Sequence, residues 1–166
     1  MADATAQFTQ FKDAIATPDL PQLGPQRRAG TRSEGEVLRS LESFFTANKT
    51  PEHLRPLLRS AALLWHDHLD ASHTISQGIE TPEGSWLHGI MHRREPDYGN
   101  ARYWFRRVGA HRAFDSLKGP GGGRWDPYGF IDACEAAGND AGTTSALRAL
   151  QAAEFDALVQ HILKSA

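Results

Sequence analysis

Apolar side chains recur three and four residues apart along most of this chain, and no segment alternates apolar with polar residues for long enough to form a strand. Phe8, Phe11 and Ile15 illustrate this helical spacing near the N-terminus. The composition agrees, since alanine numbers 23 whereas valine and isoleucine together number nine. We predict an all-α fold, a compact helical-hairpin array of about seven to nine helices, in a single domain over residues 1–166.

Two segments lack the residues that sustain regular structure. Residues 18–34 hold Pro18, Pro21 and Pro25 among glycines, which predicts an irregular loop. Residues 119–124 contain the run GPGGG, which predicts a flexible Gly-rich loop ahead of two C-terminal helices. No Lys-Ser or Lys-Thr pair follows these glycines, so the run does not match a phosphate-binding P-loop.

Residues 63–109 are predicted to form two central helical hairpins. The segment 63–79 aligns without a gap on 92–108, so that Leu69 falls on Tyr98. Each half has the end of one helix, a tight polar turn and a second helix. The layout resembles tetratricopeptide and Sel1-like hairpins, although its offset of 29 residues is shorter than the roughly 34 of the former. This resemblance implies an architecture and no peptide-binding function.

Overall charge and hydropathy exclude several classes of protein. The chain has 18 basic and 20 acidic side chains and an isoelectric point near 6.4, which argues against nucleic-acid binding. No apolar run is long enough to cross a bilayer, and the N-terminus lacks the basic-then-apolar order of a secretory signal. Cys134 is the single cysteine, so no intrachain disulfide can form. We expect a cytoplasmic protein with no membrane partner.

Three strings of the chain carry a resemblance to a known family. They are ALLWHDHLDASHTISQGIE, SWLHGIMHRREPDYGNARYWFRRVG and WDPYGFIDACEAA, of which HRREPDYGNARYWFRRVG is the most specific. In this order they resemble an uncharacterised family of all-helical bacterial and fungal proteins. The resemblance covers about residues 55–160 and implies a stand-alone helical domain, with no particular reaction attached to it.

Histidine and tryptophan concentrate in one part of the chain, because residues 65–112 hold six of eight histidines and three of four tryptophans. A helix that begins with Ser85 as its N-cap would place His88, His92 and Glu95 in one sector of roughly 60°. Histidines four residues apart are typical of helical zinc sites, and a carboxylate one turn further can orient such a ligand. The stripe therefore predicts a catalytic or metal-binding site.

The spacing HGIMH is similar to the HExxH pattern of zinc proteases, but Gly89 stands where the catalytic glutamate would be. That departure excludes the protease mechanism. An alternative interpretation needs no metal, since His88 and His92 could simply donate hydrogen bonds to Glu95 or to neighbouring helices. Both interpretations stay open on the sequence alone.

Arginines follow this stripe closely. Residues 93–112 hold six arginines against Glu95 and Asp97, a local charge of +4 that leaves −6 for the rest of the chain. Arginine grips carboxylates and phosphates through paired hydrogen bonds, so a small anionic ligand is expected. We predict that Arg93 and Arg106 form a basic wall of the pocket. The alternative is a solvated helix face whose arginines pair with acidic residues elsewhere.

Two further histidine signals lie upstream. His73 projects from the helix before the stripe and could face the same pocket as His88. The dipeptide His66-Asp67 is similar to that of HD-type metal phosphohydrolases, but Asp67 is equally well explained as a turn residue. We therefore give the dipeptide a structural role and include His73 in the pocket.

These observations support one leading hypothesis and two alternatives. The leading one is a pocket that binds a small anion, in which His88 or His92 acts as general base and Glu95 orients it. The first alternative is a non-catalytic protein-interaction module that presents Trp86, Tyr103 and arginines to a protein partner. The second is a divalent-metal hydrolase that uses His88 and His92, with zinc as the expected ion. The predicted ligand-binding residues are His73, Arg93, Tyr98, Trp104 and Arg106.

Overall fold

The computed structural model describes residues 3–166, and this part of the chain forms eight α-helices and no β-strand. The predicted all-α class and helix number are therefore confirmed. None of the helices within residues 3–166 combines the length and apolarity that a bilayer crossing requires. The helices are α1 (Ala4–Ala14), α2 (Glu34–Asn48), α3 (Arg55–Trp65), α4 (Leu69–Ser76), α5 (Pro82–Arg94), α6 (Tyr98–Val108), α7 (Pro127–Ala137) and α8 (Ala141–Lys164).

Polar N-caps begin several of these helices. Ser33 forms a capping box with Glu36 at the start of α2, and Asp97 accepts from the backbone N–H of Asn100 at the start of α6. The prediction of Ser85 as the N-cap of α5 is wrong. Thr81 caps that helix, because Pro82 takes the first helical position and Thr81 itself is extended.

The two helical pairs in residues 63–109 have matching boundaries. Helix α3 ends at Trp65 and α5 at Arg94, whereas α4 begins at Leu69 and α6 at Tyr98. Both the ends and the starts are thus 29 residues apart. Gly109 stops α6 with a positive φ of 68°, a conformation that glycine adopts without strain.

The segments without apolar periodicity are compact loops. Residues 18–33 contain no helix, and they wrap over the turn between α3 and α4, where the backbone N–H of Arg28 donates to Asp67 at 2.8 Å. The glycine run forms a short 3-10 turn at Pro120–Gly122, closed by an isolated antiparallel bridge between Lys118 and Arg124. Each loop therefore has its own hydrogen bonds.

Helix α5 is the centre of the molecule, and every residue from 84 to 94 is buried. It packs against α3, α4 and α6. The α5–α6 approach is very close, since a Cβ built on Gly89 would lie 2.8 Å from the Phe105 ring. Glycine at this position therefore has a packing reason, which explains why no glutamate stands between His88 and His92.

Candidate functional site

Three histidine side chains converge between α4 and α5, and we call them the triple-histidine cluster: His73, His88 and His92. The His73 ring centroid lies 4.6 Å from that of His88 and 5.4 Å from that of His92, and the latter two rings stack at 4.8 Å. One nitrogen of each ring lies within 4.8 Å of the others. His73 is half-buried, whereas His88 and His92 are buried. The structure thus brings together the three histidines that the sequence grouped.

His88 occupies the innermost position of the cluster. Its ring stacks on the indole of Trp104 with centroids 3.7 Å apart and an interplanar angle of 15°. Its Nδ1 is buried and has no hydrogen-bond partner among the residues described. Burial, with smaller contributions from His92 and His73, lowers the pKa of His88 to about 3. The ring is therefore neutral at physiological pH and keeps a lone pair on one nitrogen.

Glu95 orients His92, as the helical spacing predicts. The carboxylate accepts a hydrogen bond from His92 Nδ1 at 2.8 Å. Nδ1 therefore carries a proton, and in the neutral ring Nε2 keeps its lone pair. Carboxylates hold metal-binding and proton-accepting histidines in this way in many enzymes.

Arg93 does not face the cluster, so its predicted place in a basic wall is wrong. The side chain is completely buried and forms an ion pair with Glu154 of α8, with Nη2 and Oε2 2.6 Å apart. Gln151 accepts a further bond at 3.2 Å. Burial opposes the charge, but the Glu154 carboxylate overcomes this and raises the pKa of Arg93. One step along a helix turns a side chain by about 100°, which carries Arg93 away from His92.

Trp86 shares this buried contact and cannot be presented to a protein partner. Its indole is fully buried, and Nε1 donates to Glu154 at 3.1 Å. Tyr103, by contrast, is 45% exposed on α6. Of the two aromatic residues expected on an interaction surface, Tyr103 is therefore exposed to a partner and Trp86 is not.

Two more of the predicted ligand-binding residues, Arg106 and Tyr98, also lie away from the histidines. Arg106 is exposed on α6 with its guanidinium 6.0 Å from the Tyr103 ring centroid. Tyr98 lines an open cleft together with Cys134 and Arg148, and burial raises the pKa of its hydroxyl. Of the two aromatic residues predicted to bind the ligand, Trp104 contacts the triple-histidine cluster and Tyr98 does not.

The His66-Asp67 dipeptide has the structural role expected of it. Asp67 adopts a positive φ of 66° in the turn after α3 and accepts hydrogen bonds from Arg28 and Arg94 at 2.8–2.9 Å. The Nδ1 of His66 accepts from the backbone N–H of Arg32 at 3.2 Å, and Nε2 lies 3.0 Å from the carbonyl of Ile15. All these groups have partners within the fold, so neither side chain is available to a metal.

A second convergence of titratable groups escaped the sequence reasoning, and we call it the glutamate clamp: Glu83, His111 and His161. Both imidazole Nε2 atoms lie 3.2–3.3 Å from one oxygen of Glu83. The members stand 28 and 50 residues apart along the chain, so no local pattern could have revealed them.

Hydrogen bonding makes the glutamate clamp a poor metal site. The backbone N–H of Ala113 donates to His111 Nδ1 at 3.2 Å, which fixes the proton on Nε2, and this proton is donated to Glu83. Burial disfavours the charge of Glu83, but hydrogen bonds from its own backbone N–H and from His111 hold the pKa of the carboxyl below its ordinary value. The clamp joins α5 to α8 as a satisfied polar contact.

No protein-family model, curated protein or solved structure matches this chain. The resemblance to helical bacterial and fungal proteins and to tetratricopeptide or Sel1-like hairpins stays a prediction. A functional assignment therefore depends on the geometry of the site itself.

Proposed function

We propose that the protein binds a divalent transition-metal ion, zinc in the first place, through His73, His88 and His92. The observation that carries this proposal is the convergence of three imidazole nitrogens within 4.8 Å of one another, two of them on a buried helix. Imidazole nitrogen is the most common protein ligand for this class of ion.

The distances support four-coordinate zinc. Zn–N bonds of about 2.0–2.1 Å in a tetrahedron place ligand nitrogens roughly 3.3 Å apart. Small rotations about the side-chain bonds would bring nitrogens that lie within 4.8 Å to this spacing. His88 Nδ1 is a buried nitrogen that lacks a partner among the residues described, and the neutral ring of His92 has its lone pair on Nε2 because Glu95 holds Nδ1. A bound ion would use these lone pairs.

Three neutral ligands define the chemistry of such a centre. They leave the full double charge on the ion and one coordination position for water, whose pKa falls to about 7 on zinc held by three histidines. A hydroxide at neutral pH is a nucleophile for carbonyl or phosphoryl groups. We accordingly propose metal-dependent hydrolysis as the reaction class, with Glu95 as the group that orients His92.

Metal titration tests the proposal. Zinc would be titrated calorimetrically into protein stripped with a chelator, and Co²⁺ absorption would report a tetrahedral nitrogen site. We expect one site in the wild type and in His53→Asn, which alters an exposed histidine outside the cluster. His73→Asn and His92→Asn should lose the site while keeping their helical circular dichroism. Absence of zinc binding in the wild type, or unchanged binding in both cluster variants, would overturn the proposal.

A second candidate function is proton transfer by the His92–Glu95 pair without a metal. Its support is the 2.8 Å bond that orients the His92 ring and leaves Nε2 as a proton acceptor. His88 suits this role less well, because a pKa of about 3 lies far below neutral pH. Any hydrolytic activity that survives exhaustive chelation but is lost in Glu95→Gln would favour this second function over the metal.

A further inference from the structure

The six arginines of residues 93–112 differ in what their guanidinium groups contact. Arg93 and Arg94 form buried ion pairs, and Arg102 forms a surface pair with Asp132 and Glu135 of α7. The remaining three, Arg106, Arg107 and Arg112, are exposed and have no carboxylate within 4.0 Å in the part of the chain that the structure describes. These three are available to an external anion.

Of these three, Arg107 has its guanidinium over an aromatic ring that contacts the triple-histidine cluster. Its guanidinium carbon lies 5.3 Å from the ring centroid of Trp104, and that indole stacks on His88 at 3.7 Å. Arg106 likewise lies over the aromatic residue three positions before it, which is Tyr103. It is therefore turned by about 100° around the helix relative to Arg107. Trp104 thus links Arg107 to the rim of the triple-histidine cluster.

A position over an aromatic ring prepares a guanidinium to bind an oxyanion. Attraction between the cation and the face of the indole limits the motion of the side chain, and N–H groups that point away from the ring stay free to donate. A phosphate group offers several oxygens in a tetrahedral arrangement. One phosphate oxygen can enter the open position of a metal ion while two others accept paired hydrogen bonds from the arginine, whereas a carboxylate bound to the metal through one oxygen has only one oxygen left for the arginine.

We infer that the ligand of this site is a small phosphate-bearing molecule whose phosphate bridges the histidine-bound metal and Arg107. The inference rests on the proposed metal site and adds to it the class of substrate and the residue that selects it. It also replaces the anion-binding residues expected from the sequence, because Arg93 is committed to Glu154 and Arg106 lies over Tyr103.

Phosphate binding to zinc-loaded protein tests the inference. The protein would be loaded with one equivalent of zinc, freed of excess metal and titrated with inorganic phosphate. We compare Arg107→Gln with Arg106→Gln, a matched variant that removes an equally exposed charge one residue away. Loss of a charged hydrogen bond predicts phosphate binding weaker by about tenfold or more in Arg107→Gln, and by no more than about twofold in Arg106→Gln.

The zinc affinity of each variant separates the two proposals. If the wild type binds no zinc, the proposed function fails and this inference falls with it. If all three proteins bind zinc equally but phosphate affinity drops equally in both variants, or in neither, the metal site stands and the role of Arg107 is overturned. Phosphate binding of equal strength without zinc would likewise overturn the bridging role.

Discussion

Helix α5 carries two groups of buried polar side chains that differ in the partners their polar atoms find. On the side that faces α8, the hydrogen bonds of Trp86 and Arg93 go to Glu154 and Gln151, and the charge of Arg93 is neutralised by Glu154 although its buried Nε has no partner among the residues described. On the side that faces α4 and α6, three imidazole rings converge, and the buried Nδ1 of His88 has no partner among the residues described. Buried polar groups in folded proteins normally have partners. The ion pair indicates that the first group stabilises the fold, and we propose the converging imidazoles as the place for a ligand.

The glutamate clamp, at the N-terminal end of α5, is a third group of polar side chains. It also gathers two histidines and a carboxylate within hydrogen-bonding distance. Here Glu83 accepts a hydrogen bond from the Nε2–H group of His111, and so occupies the position that an ion would need. Proximity of ligand-type residues is therefore not sufficient evidence of a metal site. The lone pairs must also be unoccupied.

The largest effect is expected where the counter-charge of Arg93 is removed, on the side of α5 that faces α8. Glu154→Ala leaves the Arg93 guanidinium buried without a counter-charge and should lower the free energy of unfolding by about 3–5 kcal/mol. Urea denaturation followed by circular dichroism would measure it. Zinc binding per folded molecule should be unchanged, since no residue of the triple-histidine cluster contacts Glu154 in the residues described.

Glu135→Ala provides the matched control for this variant. It also removes a glutamate partner of an arginine, but the pair with Arg102 lies on the surface and should contribute at most about 1 kcal/mol. Equal losses in the two variants would show that the Arg93 pair stabilises the fold no more than an exposed pair does.

A smaller effect is expected at Gly89, between the two groups. A methyl group there would meet the Phe105 ring at 2.8 Å and push α6 away from α5. Overpacking, reduced by the better helix propensity of alanine, should make Gly89→Ala about 1–2 kcal/mol less stable. Because Trp104 moves with α6, zinc affinity should fall as well, which calorimetry would detect.

Gly99→Ala is the control for that substitution. Its Cβ would meet nothing closer than 3.9 Å, so alanine should be neutral or stabilising and leave zinc affinity unchanged. A stable Gly89→Ala protein with wild-type zinc affinity would contradict the close α5–α6 contact and the role given to Trp104.

An effect that depends on pH concerns His66, a buried histidine whose nitrogens both have partners. Burial, with a contribution from Arg32, lowers its pKa to about 4, below the ordinary value near 6.5 of the unfolded chain. Between these two pH values the unfolded state binds more protons than the folded state. The stabilisation from the neutral, buried ring is therefore fully present above pH 6.5, and the free energy of unfolding falls as the pH drops toward 4. The slope for one such residue is about 1.4 kcal/mol per pH unit.

Metal-free protein in chelator, unfolded by urea at several pH values, would measure this slope. His66→Gln should reduce it by about one proton, because glutamine does not titrate. His53→Gln, at an exposed position, should leave the slope as in the wild type. If the slope of His66→Gln equals that of the wild type, burial of His66 does not govern the acid sensitivity.

Helical periodicity predicted the elements well because it is a local property. Phe8 and Phe11, whose spacing is helical, lie in α1, and Ile15 is its C-cap. The stripe of His88, His92 and Glu95 is likewise a consequence of the 3.6-residue turn. His73, on the helix before this stripe, is expected to face the same site, and its ring does lie against those of His88 and His92. The N-cap of α5 was misplaced because Thr81 and Ser85 are both acceptable capping residues and only the backbone conformation distinguishes them.

Helical spacing did not predict the partners of the arginines, because the two members of an ion pair can be far apart in the sequence. Arg93 and Arg107 are both arginines of one basic segment, yet the first pairs with Glu154, 61 residues further on, and the second has no carboxylate within reach in residues 3–166. Nothing in the neighbouring residues distinguishes them. Burial beside α8 makes an ion pair obligatory for Arg93, whereas the exposed face of α6 makes no such demand on Arg107.

The sequence by itself determined the helices, the grouping of three histidines with Glu95, and the concentration of positive charge beside them, since all of these depend on spacing along the chain. Only the tertiary structure decided which polar groups remain available. That decision depends on which helices meet across the core, because a buried donor or acceptor that finds a partner there is withdrawn from chemistry. His88, with a buried nitrogen unpaired, is not withdrawn.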